Sequence, residues 1–116
     1  MSKLPKLVRD RIPEILASSG IRHDVEILST DQYIKALEDK LTEELNEYYE
    51  SRESEYADGL EELVDLYEVI LALAFALGCS KCELDKRLTK KRSERGGFKN
   101  RILLKKIYEE ENPDEA

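Results

Sequence analysis

The sequence predicts an all-α, mostly helical fold, and three observations favour it. Charged residues make up 39% and hydrophobic residues 41% of the 116 positions, whereas there are only 5 glycines and 3 prolines. Apolar residues recur every three or four positions over long stretches, which is the spacing of an amphipathic helix. A chain of this length forms one domain with a modest core. We therefore expect antiparallel helices in a bundle completed by oligomerisation, with one or two short peripheral strands.

The first thirty residues predict a short helix followed by an extended segment. Pro13 suits the first turn of a helix and Gly20 suits its end, so the helix is expected from residue 13 to about residue 18. Apolar and polar residues then partly alternate over 21–28, which predicts a short strand. The candidate N-caps of the next helix are Ser29, Thr30 and Asp31.

Two longer helices are predicted in the middle of the chain, joined by a polar turn over 52–58. The first spans about 31–51, with an apolar stripe at Ile34, Leu37, Leu41, Leu45 and Tyr48. The second spans about 59–77 and ends at Gly78. Its second half, Val69–Leu77, is apolar on every side, and a small domain buries such a helix most easily against a second subunit.

The C-terminal part predicts one more helix, from about 81 to 93, which Gly96-Gly97 interrupts. Residues 102–107 predict a second short strand. The polar, acidic segment 109–116 is expected to be a disordered tail, so the folded domain is predicted to cover 1–108.

The two cysteines, Cys79 and Cys82, do not by themselves define a metal site. A structural zinc site needs two further ligands, and the single histidine, His23, supplies at most one. Ser80 and Glu83 have the spacing of a capping box at the start of a helix. That role gives the segment an ordinary structural setting.

Two acidic pairs, Glu44-x-x-Glu47 and Glu62-x-x-Asp65, are the most informative feature for function. A spacing of three residues places both carboxylates of a pair on neighbouring positions of a helix surface. Like charges repel, so a fold that keeps four carboxylates together usually does so for a hard divalent cation. On antiparallel helices the four can converge on one Mg²⁺ ion, which suggests phosphate chemistry. The alternative is two solvated acidic helices, since 26 of the 116 residues are Asp or Glu.

Glu62 is the most diagnostic acid of the four. In helical projection it falls among Leu66, Val69 and Leu73, and an unpaired buried carboxylate needs a cation or a hydrogen-bond partner. Glu44 is expected at the edge of the core. The nearest alternative acids are Glu43 and Glu68.

Basic residues form two groups whose chemistry suits a polyphosphate. One precedes the pair Gly96-Gly97, where arginine side chains and backbone N–H groups can contact phosphate oxygens. The other lies near the N-terminus. The members are Lys91, Arg92 and Arg95 in the first group, and Arg9 and Arg11 in the second. The alternative for the first group is that its cations complement the C-terminal end of a helix dipole.

The net charge of −7 argues against nonspecific binding of nucleic acid, which depends on neutralising phosphates. The longest apolar stretch, Val69–Leu77, is too short to span a bilayer, and the N-terminus does not resemble a signal peptide. We therefore expect a cytoplasmic protein without a nucleic-acid or membrane partner.

The chain resembles the all-α nucleoside triphosphate pyrophosphohydrolase superfamily, the MazG-like and phosphoribosyl-ATP pyrophosphohydrolase-like group. Four strings in the expected order carry the resemblance over nearly the whole chain. They are Lys6-Leu-Val-Arg-Asp-Arg-Ile-Pro13, Lys40-Leu-Thr-Glu-Glu-Leu-Asn-Glu47, Glu61-Glu-Leu-Val-Asp65 and Lys91-Arg-Ser-Glu-Arg-Gly-Gly-Phe98. The resemblance implies Mg²⁺-dependent cleavage of a nucleotide between its α- and β-phosphates, in a homodimer or homotetramer.

The resemblance also implies roles for individual residues. The metal motif maps onto Glu44, Glu47, Glu62 and Asp65, and either Glu44 or Glu47 would orient the attacking water. The residues implied to contact the substrate are Arg9, Arg11, Lys40, Lys91, Arg92 and Arg95.

Three functions fit these expectations. The N-terminal Lys6-Leu-Val-Arg-Asp10 segment resembles the MazG-like branch most, which favours hydrolysis of free nucleoside triphosphates. Hydrolysis of phosphoribosyl-ATP in histidine synthesis is the second function. The third is a helical module that binds nucleotide or another partner without catalysis.

Overall fold

In the computed structural model, which describes residues 4–55 and 58–109, every regular element is a helix. The helices are α1 (Ile12–Ser18), α2 (Thr30–Ser51), α3 (Gly59–Ala76) and α4 (Lys81–Arg95). The prediction of an all-helical fold is thus confirmed. Each of the four predicted helices is present, with ends within two residues of the expected ones.

The two predicted strands are wrong: 21–28 and 102–107 contain no strand. A strand needs a neighbour that pairs with its backbone N–H and C=O groups, and neither segment has one among the described residues. The apolar side chains of the first segment also lack a core to face, since Val25 is 62% and Ile27 93% exposed. The alternation of apolar and polar residues therefore predicted a strand with one buried face, but the apolar residues of this segment are exposed.

The chain divides into two compact units, Met1–Leu84 and Asp85–Ala116. The single domain over 1–108 stays a prediction. Apart from residue 109, the predicted tail over 109–116 lies outside the described residues.

The start of α2 is fixed by a capping box. The hydroxyl of Ser29 accepts a hydrogen bond from the backbone N–H of Gln32 (3.3 Å), and the side-chain oxygen of Gln32 accepts one from the backbone N–H of Ser29 (3.1 Å). Both donors would otherwise lack a partner within the helix. Of the three candidate N-caps, Ser29 is the one used.

Helices α2 and α3 pack against each other in an antiparallel arrangement. Gly59, at the start of α3, lies against the end of α2, where a Cβ on it would be 3.4 Å from Oγ of Ser51. Further along α3, Asp65 lies close to Glu44, seven residues earlier on α2. Leu37 and Val69 are the buried apolar residues of the described chain. The interface between these two helices therefore holds both the small core and the acidic residues.

The opposite face of α3 is apolar and exposed. Its exposed residues recur every three or four positions and include Leu60 (70% exposed), Leu63 (41%), Val64 (55%) and Tyr67 (48%). In the second half of the helix, Val69 is buried but Ile70 and Phe75 are exposed. Burial of Val69–Leu77 on every side is thus not achieved within one chain, because α2 covers only one face.

Helix α3 stops at a left-handed glycine, as predicted. Gly78 has φ of +92°, a conformation that residues with a Cβ rarely adopt. Helix α4 then begins after Ser80, whose hydroxyl accepts a hydrogen bond from the backbone N–H of Glu83 (3.1 Å). In the described part of the chain no single helix has the length and apolar character needed to cross a bilayer; α3 and α4 reach them only when taken together as a bent pair.

Candidate metal centre

Five carboxylates gather where α2 and α3 meet, in two groups that share Glu44. One group consists of Glu43, Glu44 and Glu47 on α2. The other joins Glu44 to Glu62 and Asp65 of α3. Within each group, one carboxylate oxygen of every residue lies within 4.8 Å of the others. The four acids of the predicted metal motif are therefore brought together, and Glu43 joins them.

Glu44 is the buried member, with 5% of its surface exposed. Its Oε1 lies 3.3 Å from Nζ of Lys40, one turn earlier on α2. Its Oε2 is buried and has no hydrogen-bond partner among residues 4–55 and 58–109. The sequence had placed Glu44 at the edge of the core and Glu62 inside it, but the structure reverses this: Glu62 is only half-buried. Glu62 lies in the first turn of α3, near the segment that joins it to α2, whereas Glu44 lies two turns before the end of α2.

The surroundings of Glu44 make its ionised form less favourable than that of a solvated carboxylate. Burial raises the pKa of the Glu44 carboxyl, and the neighbouring Glu47 raises it further. The ion pair with Lys40 opposes this rise without cancelling it. The pKa of Lys40 changes as well. Burial lowers the pKa of its ammonium, but the hydrogen bonds to Glu44 and Glu43 raise it by more, so the net change is an increase. A divalent cation would neutralise the carboxylates in place of a proton.

Burial and neighbouring carboxylates also raise the pKa of Glu62 on α3. Partial burial raises the pKa of its carboxyl, and the charges of Glu47 and Asp65 raise it further. The influence of Glu47 shows that the two pairs interact across the interface as well as along each helix. The cluster therefore forms one electrostatic unit.

Arg9 of the N-terminal segment contacts this unit directly. Its Nη2 donates a hydrogen bond to Oδ1 of Asp65 at 2.8 Å, across 56 positions of sequence. Both side chains remain partly exposed, at 55% for Arg9 and 39% for Asp65. Arg9 was predicted to contact substrate, which stays a prediction, and in the structure it pairs with a predicted metal ligand.

The other predicted substrate residues have different surroundings. Nζ of Lys40 lies 3.3 Å from a carboxylate oxygen of both Glu43 and Glu44, so its ammonium group forms ion pairs within the cluster. Arg11 pairs with Glu14 on the surface of α1. The remaining three, Lys91, Arg92 and Arg95, are exposed residues of α4 in the unit Asp85–Ala116. Their contact with phosphate stays a prediction.

Sequence reasoning treated Glu43 only as a substitute for a neighbouring acid. The structure makes it an additional member of the cluster, beside Glu44 and Glu47. Its spacing of four residues from Glu47 would have indicated this, because residues four apart share a helix face.

An oxygen-only ligand set of this kind suits hard cations. Mg²⁺, Mn²⁺ and Ca²⁺ prefer carboxylate and water oxygens, whereas zinc and copper sites in proteins usually include His or Cys. The half-buried positions of Glu62 and Asp65 leave room for the water molecules that Mg²⁺ keeps when it binds. The buried, unpartnered Oε2 of Glu44 is the atom whose environment a cation would most improve.

Comparison with known proteins gives one informative match. An uncharacterized protein of Mycolicibacterium smegmatis is 48% identical over 44 residues, which cover 38% of this chain. The aligned part spans 45% of that relative, less than half of its length. No protein-family model and no solved structure matches the chain.

Proposed function

We propose that this protein is an Mg²⁺-dependent nucleotide pyrophosphohydrolase that cleaves a nucleoside triphosphate between its α- and β-phosphates. The observation that carries the proposal is the carboxylate cluster around the buried, unpartnered Oε2 of Glu44. The reaction itself comes from the resemblance of the four sequence strings to the MazG-like group. The cluster would supply the metal-binding carboxylates which that resemblance implies.

The chain's own residues would take distinct parts in such a reaction. Glu44, Glu62 and Asp65 would hold the cation, which polarises phosphate oxygens and activates water when bound. Glu47, which interacts with carboxylates of both helices, would accept a proton from the attacking water. Arg9 lies beside the cluster and would stabilise negative charge on the phosphate chain.

The direct test measures pyrophosphate release from a panel of ribo- and deoxyribonucleoside triphosphates, with Mg²⁺ and with EDTA. We expect release of pyrophosphate and monophosphate only with Mg²⁺. If no triphosphate of the panel releases pyrophosphate but phosphoribosyl-ATP is cleaved, the protein would be assigned to histidine synthesis. If neither the panel nor phosphoribosyl-ATP is cleaved, a non-catalytic module would be favoured.

A pair of variants tests the assignment of the acids. Glu62→Gln removes one ligand charge at nearly constant volume, so we expect turnover to fall by at least about 10²-fold while the protein stays folded. Glu68→Gln, a change of the same kind on an acid of α3 outside the cluster, should retain activity. Full activity of Glu62→Gln would remove this residue from the site.

Binding of the cation can be measured independently of turnover. A ligand that binds only the folded state raises its stability, by about 2.7 kcal/mol when its free concentration is one hundred times its Kd. We therefore expect Mg²⁺ to raise the melting temperature by roughly 10 °C under such conditions. The quadruple change of Glu44, Glu47, Glu62 and Asp65 to amides should abolish this increase. An unchanged melting temperature in the wild type would contradict the metal centre.

We infer further that two copies associate through the exposed apolar face of α3 and so complete the helical bundle. The support is the repeat of Leu60, Leu63, Val64 and Tyr67 on the face opposite α2. A helix that is apolar on both faces is normally covered on both.

A further inference from the structure

A cavity of about 410 Å³ lies between the N-terminal segment and one face of α2. Pro5, Lys6 and Leu7 form one wall. The α2 wall consists of residues spaced three or four apart, from Ala36 to Glu50. The volume falls within the range of roughly 300–1,000 Å³ that is typical of small-molecule pockets.

The cavity adjoins the metal centre. Glu43 and Glu47 line it, and both belong to the carboxylate group that includes Glu44. A ligand whose phosphates bind a cation at that group would therefore extend its remaining part into this cavity.

The lining disfavours a bare phosphate and favours a planar group that carries hydrogen-bond donors. Carboxylates repel phosphate oxygens but accept hydrogen bonds from amino and hydroxyl groups. Apolar atoms are also present and suit the face of a ring. Four carboxylates outnumber two lysines in this lining, so its net charge is negative. The carboxylates are Asp39, Glu43, Glu47 and Glu50, the lysines are Lys6 and Lys40, and the apolar residues are Pro5, Leu7 and Ala36. A nucleobase with its sugar combines these properties.

Asn46 lies between Glu43 and Glu50 on the same face of α2 and lines the cavity. Within residues 4–55 and 58–109 its side-chain amide makes no hydrogen bond. An amide offers a donor and an acceptor side by side, and by rotation it can pair with the edge of either an amino or an oxo base. A carboxylate only accepts hydrogen bonds, so it suits an amino group at this ring position and disfavours an oxo group.

We propose that this cavity is a nucleobase site which selects bases with an amino group at purine position 6 or pyrimidine position 4, and that Glu50 determines this specificity. This inference rests on the proposed function, because it takes the nucleotide's phosphates to be held at the metal centre. Glu50 accepts a hydrogen bond from the amino group, and the amide of Asn46 pairs with the base edge.

The test uses ligand pairs that differ at this ring position, AMP against IMP and CMP against UMP. Their binding to the full-length protein is measured by titration calorimetry in the presence of Mg²⁺. We expect each amino-bearing nucleotide to bind at least about tenfold more tightly than its oxo partner. Glu50→Gln should reduce this ratio to about two or less, because an amide can also donate to an oxo group. Asn46→Ala should weaken the binding of all four nucleotides, whereas the control Asn100→Ala should change neither affinity nor ratio.

Equal binding within both nucleotide pairs would overturn the nucleobase site. So would a Glu50→Gln variant whose ratio of affinities for amino and oxo nucleotides equals that of the wild type. The result is separable from the proposed function, since monophosphates bind without turnover. Selective binding without any pyrophosphate release would sustain the site and reject the reaction. Pyrophosphate release at equal rates from ATP, ITP, CTP and UTP would sustain the reaction and reject the site.

Discussion

At the scale of single residues, the unusual feature is a buried carboxylate with one unpartnered oxygen. Oε1 of Glu44 lies 3.3 Å from Nζ of Lys40, whereas its Oε2 has no hydrogen-bond partner in the part of the chain that the structure describes. Leaving a buried polar atom unpaired costs about 1–3 kcal/mol. A chain retains such a group more readily where a bound ion compensates it, which is why Glu44 is the best single indicator of function.

The stability of the metal-free protein should reveal this cost through its pH dependence. Burial and Glu47 raise the pKa of Glu44 in the folded state, so folding binds its proton more tightly than the unfolded chain does. The contribution of Glu44 to stability is therefore greatest below the ordinary carboxyl pKa and is lost as pH rises through the raised value. In EDTA, Glu44→Gln should be more stable than the wild type by about 1–2 kcal/mol once the pH exceeds the raised pKa, and by less near the ordinary carboxyl pKa, as measured by urea unfolding. A difference independent of pH would contradict this account.

Arg9 should compete with the cation for Asp65. The ion pair is partly exposed, and such pairs contribute about 0.2–1 kcal/mol. We therefore expect Arg9→Ala to bind Mn²⁺ up to about fivefold more tightly in a calorimetric titration. The control is Arg11→Ala, which breaks the pair with Glu14 and should leave metal affinity unchanged. Weaker binding by Arg9→Ala would instead mean that Arg9 orients Asp65 for the ion.

At the scale of elements, the helix ends were the most predictable part of the chain. Ser29, Gly78 and Ser80 act through contacts within a few residues, so their roles can be inferred from sequence spacing. The strand predicted over 21–28 was wrong because a strand depends on a partner elsewhere in the fold. Spacing likewise predicted that Glu44 and Glu62 meet, but not which of them is buried, since that depends on how far each helix covers the other.

The capping box of α2 should contribute measurably to stability. Ser29→Ala leaves the backbone N–H of Gln32 without its hydroxyl acceptor and should lower the free energy of unfolding by about 1 kcal/mol. Ser93→Ala is the matched control, because Ser93 lies inside α4 and alanine has the higher helix propensity there. Urea unfolding of both variants measures the difference. Equal stabilities would show that α2 starts without help from its cap.

Over the whole molecule, one chain buries only a small part of its apolar side chains. Only Leu37 and Val69 are buried apolar residues in the described ranges, while the outer face of α3 presents a continuous apolar repeat. The sequence predicted this need for a second layer from the composition of Val69–Leu77, although the exposed repeat starts earlier, at Leu60. The position of the repeat follows from which face α2 covers, and no local pattern specifies that.

The oligomeric state should therefore depend on this outer face of α3. We expect the protein to sediment as a dimer or larger assembly, because a second copy would cover Leu60, Val64 and Tyr67. Val64→Glu places a charge in the middle of the repeat and should shift the protein to monomer at micromolar concentration, since burying an unpaired carboxylate is costly. Ile27→Glu adds the same charge at a residue that is 93% exposed and lies outside α3, and it should leave the assembly intact. Analytical ultracentrifugation of the wild type and the two variants measures the oligomeric state. A monomeric wild type would show that this face of α3 does not hold two copies together, and so would a Val64→Glu variant that sediments like the wild type.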